Sequence, residues 1–218
     1  MKDEKKLFLL DAFALIYRAY FAFAKNPRIN SKGLDTSAVF GFVNTLNEVI
    51  RKENPSHIAV VFDTKKPTQR HIEFPDYKAH REAMPDGLRD ALPYIDALLD
   101  AYNIPKLFVD GFEADDVIGT LAKKAEQEGF QTYMMTSDKD FAQLVSDNIF
   151  MYRPGNKWQP TTIWGIPEVL EKFDIQRVDQ VIDYLGMMGD SADNIPGIPG
   201  IGKKSAQKFI KQYDSMEG

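Results

Sequence analysis

An α/β fold with a mainly parallel sheet covered by helices on both faces is predicted by three observations. Four short apolar runs, Leu7–Leu10, Ile58–Phe62, Lys106–Val109 and Thr132–Met135, have the length and composition of buried strands. Stretches with helical periodicity, Ala14–Ala24, Thr36–Glu53, Asp86–Tyr102 and Glu113–Glu128, alternate with them, which is the order of a parallel sheet with crossover helices. Each strand run leads into acids: Asp11, Asp63, Asp110 with the Glu113 cluster, and Asp138 with Asp140. Ligands of open parallel sheets lie beyond the carboxyl ends of the strands, so four separate acids are delivered to one rim.

With 218 residues, 44% hydrophobic, the chain is long enough for one sizeable core, or a core with a small accessory unit. It has no cysteine, which excludes disulfides, zinc–thiolate sites and thiol catalysis and fits a reducing compartment. The start, MKDEKK followed by LFLLDAFALIYRAYFAFA, superficially resembles a signal peptide. Asp11 and Arg18 interrupt the apolar run and leave neither a signal core nor a membrane span. The expectation is a soluble, cytoplasmic protein with no membrane partner.

Taken in order, the first distinctive stretch is Thr64–Gly87. It is long, punctuated by Pro67, Pro75 and Pro85, and carries Lys65, Lys66, Arg70, Lys78 and Arg81 around Phe74 and Tyr77. A connection of this length with little core pattern is either functional or a solvated excursion. The stretch DGFEADDVIGTLAKKA, Asp110 to Ala125, follows. Val117, Ile118, Leu121, Ala122 and Ala125 give its helix one buried face. Asp110 is expected to cap it with Glu113 in a capping box, and acids in the first turn suit the helix dipole. Two acids there are explained by capping. A third, among Glu113, Asp115 and Asp116, is repelled by the others unless a cation sits among them.

From Asn156 onward the pattern turns to short helices, Ile166–Phe173 and Gln176–Met188, then a hairpin and a final helix from about Lys203. The hairpin glycines Gly197, Gly200 and Gly202 permit close approach to a phosphate, and Lys203, Lys204 and Ser205 lie at the helix start. A glycine turn alone is weak, but this one follows two more acids, Asp190 and Asp193. The domains expected are 1–155, an α/β core with the basic excursion at about 64–87, and 156–218, a helical unit.

The candidate metal ligands are therefore Asp11, Asp63, Glu113, Asp115, Asp116, Asp138, Asp140, Asp190 and Asp193. Oxygen-only donors suit Mg²⁺ or Mn²⁺ rather than zinc. Two such ions ~4 Å apart can clamp the attacking and leaving oxygens of an in-line phosphoryl displacement. The formal charge of −5 argues against a nucleic-acid partner until these nine acids are set aside; the rest of the chain then carries +4. His57, His71 and His80 have no partner at ligand spacing, and Trp158 and Trp164 read as packing residues.

Six motifs, LLDAFALIYRAYFA, GLDTSAVFGF, FDTKKPTQRHIEFPDYKAHR, FEADD, TSDKD and GDSADNIPGIPGIGKKSA, occur in that order along the chain. Together they resemble the flap endonuclease superfamily, in particular the 5′-nuclease domains of bacterial DNA polymerases I. The resemblance implies a Rossmann-like (PIN-like) sheet, a helical arch formed by Thr64–Gly87, and a C-terminal helix–three-turn–helix element. It implies that the nine acids hold two or more Mg²⁺ or Mn²⁺ ions. Arg70, Lys78 and Arg81 would act on the scissile phosphate, with Arg18 and Tyr77 on the DNA approach. The hairpin of Gly197, Gly200, Gly202, Lys203, Lys204 and Ser205 would bind the duplex backbone, in many members with a monovalent cation such as K⁺.

The implied function is a structure-specific 5′-3′ exonuclease and flap endonuclease acting on 5′-flap, nicked or primer-bearing duplex DNA in replication and repair. It implies a monomer, associated with the bacterial nucleoid and joined to a downstream polymerase domain. Family domains normally continue further, so the helical unit is read as cut short. Ala12 and Ala192 stand where relatives often have Gly and Ser, and Ser205 where Thr is common. Two other readings are a PIN-type endoribonuclease, opposed by the basic arch and duplex-binding hairpin, and a catalytically silent DNA-binding module, opposed by the retention of every acid.

Overall fold

The structure, a computed structural model, describes residues 5–64, 66–156 and 159–218. Lys65 and Trp158, named above, lie outside the described residues. Six strands form one sheet: β1 (Lys6–Asp11), β2 (His57–Val61), β3 (Lys106–Leu107), β4 (Gln131–Met135), β5 (Ile149–Arg153) and β6 (Thr162–Trp164). Their order is β3-β2-β1-β4-β5-β6, parallel except where β6 runs against β5. Side chains alternate across the pleat, so each central strand feeds two cores. Phe8, Leu10, Val60 and Met135 face helices α1 (Ala12–Ala22), α2 (Ser37–Glu53) and α4 (Asp86–Ala101), while Leu9, Val61, Met134 and Met151 face α5 (Ala114–Gln127). Between α2 and α4 the basic stretch contributes one short helix, α3 (Gln69–Glu73).

The C-terminal helices α6 (Ile166–Phe173), α7 (Gln180–Met188) and α8 (Lys203–Tyr213) extend the second core through Val169, Phe173, Val181, Tyr184, Ala206 and Ile210. Between α7 and α8 lies a two-stranded antiparallel ribbon, β7 (Gly189–Asp190) with β8 (Ile195–Pro196). Among the described residues no helix is long and apolar enough to cross a membrane.

Four local expectations change. Lys106–Val109 pairs only through Lys106 and Leu107, because β3 is an edge strand held on one side, and Phe108 and Val109 emerge 63% and 46% exposed. Asp110 does not cap α5. Glu113 is the N-cap, its amide donates to Asp116 Oδ2 at 3.1 Å, and Asp110 instead pairs with Lys66 at 2.5 Å. β5 and β6 are absent from the sequence reading. β5 is an apolar run behind Ser146–Asn148, whereas β6, after Asn156, has three residues, too few for alternation to show. Finally, α7 begins at Gln180 rather than Gln176. The Gln180 side chain folds back to accept from the amides of Gln176 and Arg177 (2.9 and 3.1 Å) and so fixes a turn ahead of the helix.

Candidate metal centre and its basic cover

The sheet order reverses at β1, whose neighbours β2 and β4 leave in opposite directions. The crevice this creates at the carboxyl ends is where the acids meet. Asp11 ends β1 and caps α1 by accepting from Ala14 N at 3.1 Å; its other oxygen accepts from Thr136 Oγ1, just beyond β4, at 3.0 Å. Asp63, two residues past β2, accepts from Ala114 N, the first amide of α5, at 2.8 Å. A cavity of about 620 Å³ is lined by Asp11, Asp63, Glu113, Asp115 and Asp138. A second, about 630 Å³, shares Glu113 and Asp115 and adds Asp116, Asp140 and Asp193. Asp190 is reached through Lys139, whose Nζ is 2.7 Å from Asp190 Oδ2 and 3.4 Å from Asp140 Oδ1.

The electrostatics separate these acids into two groups. No salt bridge among the described residues reaches Asp11, Asp63, Asp115 or Asp138. Burial first, and then Asp11, Asp138 and Asp63, push the Asp115 carboxyl up to about 8. Burial raises Asp11 to about 6 against the hydrogen bonds from Ala14 and Thr136, with Asp63 and Asp138 adding to the rise. Asp140 is raised by burial and by Asp138 against the pull of Lys139, whose ammonium is the ion-pair partner of its buried Oδ1.

The second group is neutralised by cations of the 64–87 segment. Arg70 grips Asp116 with two bonds, 2.7 and 2.6 Å, which lower the Asp116 carboxyl and raise the guanidinium. Lys78 Nζ donates to Glu113 Oε1 at 2.9 Å, and Arg81 to Asp193 Oδ1. Tyr77, 5% exposed, donates its hydroxyl between Glu113 Oε2 (2.9 Å) and Asp193 Oδ2 (3.1 Å), and burial followed by those carboxylates raises its pKa. Backbone contacts complete the cover: Lys78 N donates to Asp193 O at 2.9 Å and Asn194 Nδ2 to Asp76 O at 2.8 Å. Lys78 has a left-handed backbone, φ 57°, which a non-glycine residue holds at a cost of about 1–3 kcal/mol against such contacts.

Asp190 is drawn below its usual range: the bond from Lys139 and the amides of Ala192 and Asp193 outweigh its burial. Arg18 does not join the acids. It is half-buried, its guanidinium donates to Pro154 O (3.0 Å) and Gly155 O, and burial lowers its pKa. The hairpin glycines are needed for different reasons. A Cβ on Gly197 would meet the Met188 carbonyl carbon at 2.4 Å, and Gly200 has φ 82°. Gly202 caps α8, leaving the exposed Lys203 and Lys204 on its first turn, while Ser205 N already donates back to Gly202 O at 3.0 Å. His71 bonds Thr68 Oγ1 at 2.9 Å, and Trp164 packs on the second core under Arg153.

Thr136, Lys139 and Asn194 work at this site and are not singled out by the sequence. Thr136 and Lys139 sit inside TSDKD, where spacing from the acids was the available signal; Asn194 gives none, since its partner Asp76 is 118 residues away. The donor set is carboxylate throughout, and burial followed by like charges raises Asp115 to about 8 and Asp11 to about 6. That composition fits a hard divalent cation. Among the described residues no group of three or more His, Cys, Asp or Glu is drawn together closely enough to hold a metal ion as it stands.

Comparison with known proteins bears on this geometry. Residues 6–174 match the family model "5′-3′ exonuclease, N-terminal resolvase-like domain", and 176–218 match "5′-3′ exonuclease, C-terminal SAM fold". The chain is 43% identical over 218 residues to DNA polymerase I of Bacillus subtilis, covering all of this chain and 24% of that protein. It is 39% identical over 213 residues to a 5′-3′ exonuclease of Aquifex aeolicus, covering 98% of this chain and 71% of the relative. The chain thus spans about a quarter of the length of the polymerase relative. The bacteriophage T5 D15 protein co-crystallised with metal ions shares the fold, with a TM-score of 0.77 and 21% identity, covering 96% of this chain and 76% of that one.

Proposed function

The chain belongs to the 5′-3′ exonuclease family, and we propose that it hydrolyses phosphodiester bonds at the 5′ ends and flaps of duplex DNA, as the 5′-nuclease portion of a cytoplasmic DNA polymerase I. The observation that carries this reading is the bare half of the acid ring. Asp11, Asp63, Asp115 and Asp138 crowd into one cavity whose cations, Lys66, Lys78 and Arg81, form salt bridges with none of the four, and burial followed by the neighbouring carboxylates holds Asp115 up at about 8. Mg²⁺ or Mn²⁺ would be held there and by Glu113, Asp116, Asp140, Asp190 and Asp193. Such ions neutralise the phosphate and its attacking and leaving oxygens in an in-line displacement.

The chain's own residues do the rest. Asp63 is held by Ala114 N, and Asp11 by Ala14 N and Thr136, which fixes both carboxylates in the cavity wall. Arg70, Lys78 and Arg81 of the 64–87 segment pair with acids of the rim and would carry the scissile phosphate, exchanging a carboxylate partner for a phosphate oxygen as charge develops. Tyr77 holds the arch to α5 and to the hairpin through Glu113 and Asp193. In the helical unit, the open amides of α8 together with Lys203 and Lys204 bind the duplex backbone, with K⁺ as the monovalent cation expected at the hairpin turn.

A labelled 5′-flap duplex, a nicked duplex and a single-stranded RNA, each with Mg²⁺, Mn²⁺, Ca²⁺ or chelator, test the reading. Cleavage of the two duplexes with Mg²⁺ or Mn²⁺ alone is expected. Robust cleavage in excess chelator, or of the RNA only, overturns it.

A further inference from the structure

The early end of β3 leaves a feature that the nuclease site does not use. Phe108 and Phe112, on the loop from β3 to α5, are 63% and 55% exposed, and Ile72 on α3 is 69% exposed. Of these, Phe112 lines a groove of about 740 Å³ between α3 and α5, together with Val109, Val117 and Leu121 and with the charged Arg70, Glu73, Asp116 and Lys124. Phe112 also lines the acid cavity, and Arg70 and Asp116 border both the groove and the second acid cavity. Groove and acids are therefore one continuous surface, joined across the Arg70–Asp116 pair.

A local explanation covers part of this. Phe112 precedes the N-cap Glu113 and Val117 is the fourth helical residue, the two positions of a hydrophobic staple. A staple, however, buries its ring, and this ring is more than half open. Nor does a staple account for Phe108, which stands outside the helix start altogether. Exposed aromatic faces next to cations are what sequence-tolerant binding of single strands requires: rings for the bases, charges for the backbone.

We propose that this groove is a stacking platform for the displaced 5′ single strand, with a base on Phe112 and the backbone phosphate on Lys124. The proposal rests on the 5′-nuclease reading and adds the subsite that distinguishes a flap from a nick. A strand leaving the acids past Phe112 enters the groove directly, whereas a nicked duplex has no single strand to place there.

The experiment compares equilibrium binding of a 5′-flap duplex and the same duplex nicked without a flap, in Ca²⁺, for wild type, Phe112→Ala, Phe112→Leu and Phe112→Trp. The flap carries 2-aminopurine near the junction, and melting curves show that each variant is folded. Phe112→Ala is expected to weaken flap binding roughly tenfold and leave the nicked duplex unchanged. Quenching of 2-aminopurine seen with wild type and Phe112→Trp should be lost in Phe112→Ala. Equal weakening on both substrates, or no change on either, overturns the platform, as does full flap affinity and quenching in Phe112→Leu, which keeps an apolar surface without a ring. If wild type binds and, with Mg²⁺, cleaves neither duplex, the 5′-nuclease reading falls and takes this one with it.

Discussion

Replacing Asp115 by Asn removes the acid that crowding penalises most, and the consequence for stability has a definite sign. In the folded, metal-free protein its carboxyl is raised to about 8, against about 3.9 in an unfolded chain. Between those values the folded state binds more protons than the unfolded one, so stability falls as pH rises from about 4 to about 8. Taken as an isolated site, the full penalty at pH 8 is about 5 kcal/mol, at 1.36 kcal/mol per pKa unit. Relaxation and water entry lessen it, and an acid in the first turn of α5 recovers roughly 0.3–1 kcal/mol from the helix dipole. A net gain of about 2–3 kcal/mol for Asp115→Asn at pH 8 in chelator is the expected result, or about 5–10 °C in Tm for a domain of this size. The gain should shrink at pH 5, where wild-type Asp115 is protonated, and reverse with Mg²⁺, which on the proposed reading would be held tightly only by the wild-type ring. Thermal melts at pH 5 and 8, with chelator and with Mg²⁺, read all of these. Lower stability of Asp115→Asn at pH 8 in chelator would refute the reasoning, because the carboxylate would then be a structural cap.

Asp63→Ala should abolish turnover and cost about 1 kcal/mol in chelator, since Ala114 N loses its acceptor; denaturant melts and flap cleavage measure the two effects. Tyr77→Phe removes a hydroxyl shared by Glu113 and Asp193 and should speed amide exchange across 70–81 while lowering stability by about 1–2 kcal/mol. Lys78→Ala should reduce the single-turnover rate by roughly 10²-fold at saturating DNA with little change in affinity. Lys204→Ala should do the opposite, weakening duplex binding and lowering the salt slope by about one ion, and a normal affinity with a slow single turnover would contradict its assignment to the hairpin.

The amino-acid sequence by itself determined the class of fold, because strand and helix periodicities are local and the acids end the strands that carry them. Asp11, Asp63 and the Glu113–Asp116 cluster were legible for that reason, as was the glycine hairpin after Asp190 and Asp193. The tertiary structure decided what depends on neighbours distant in sequence. β3 stops at Leu107 because it pairs on one side only, which exposes Phe108, although the run Lys106–Val109 reads as buried. Tyr77 reads as a residue of a basic surface loop, yet is buried because two carboxylates, 36 and 116 positions away, converge on its hydroxyl. The nine chemically similar acids divide into four that no salt bridge reaches, three (Glu113, Asp116 and Asp193) paired with Arg70, Lys78 and Arg81 of the 64–87 segment, and two (Asp140 and Asp190) paired with Lys139. Charge and spacing along the chain are alike for all of them; only proximity in space separates them.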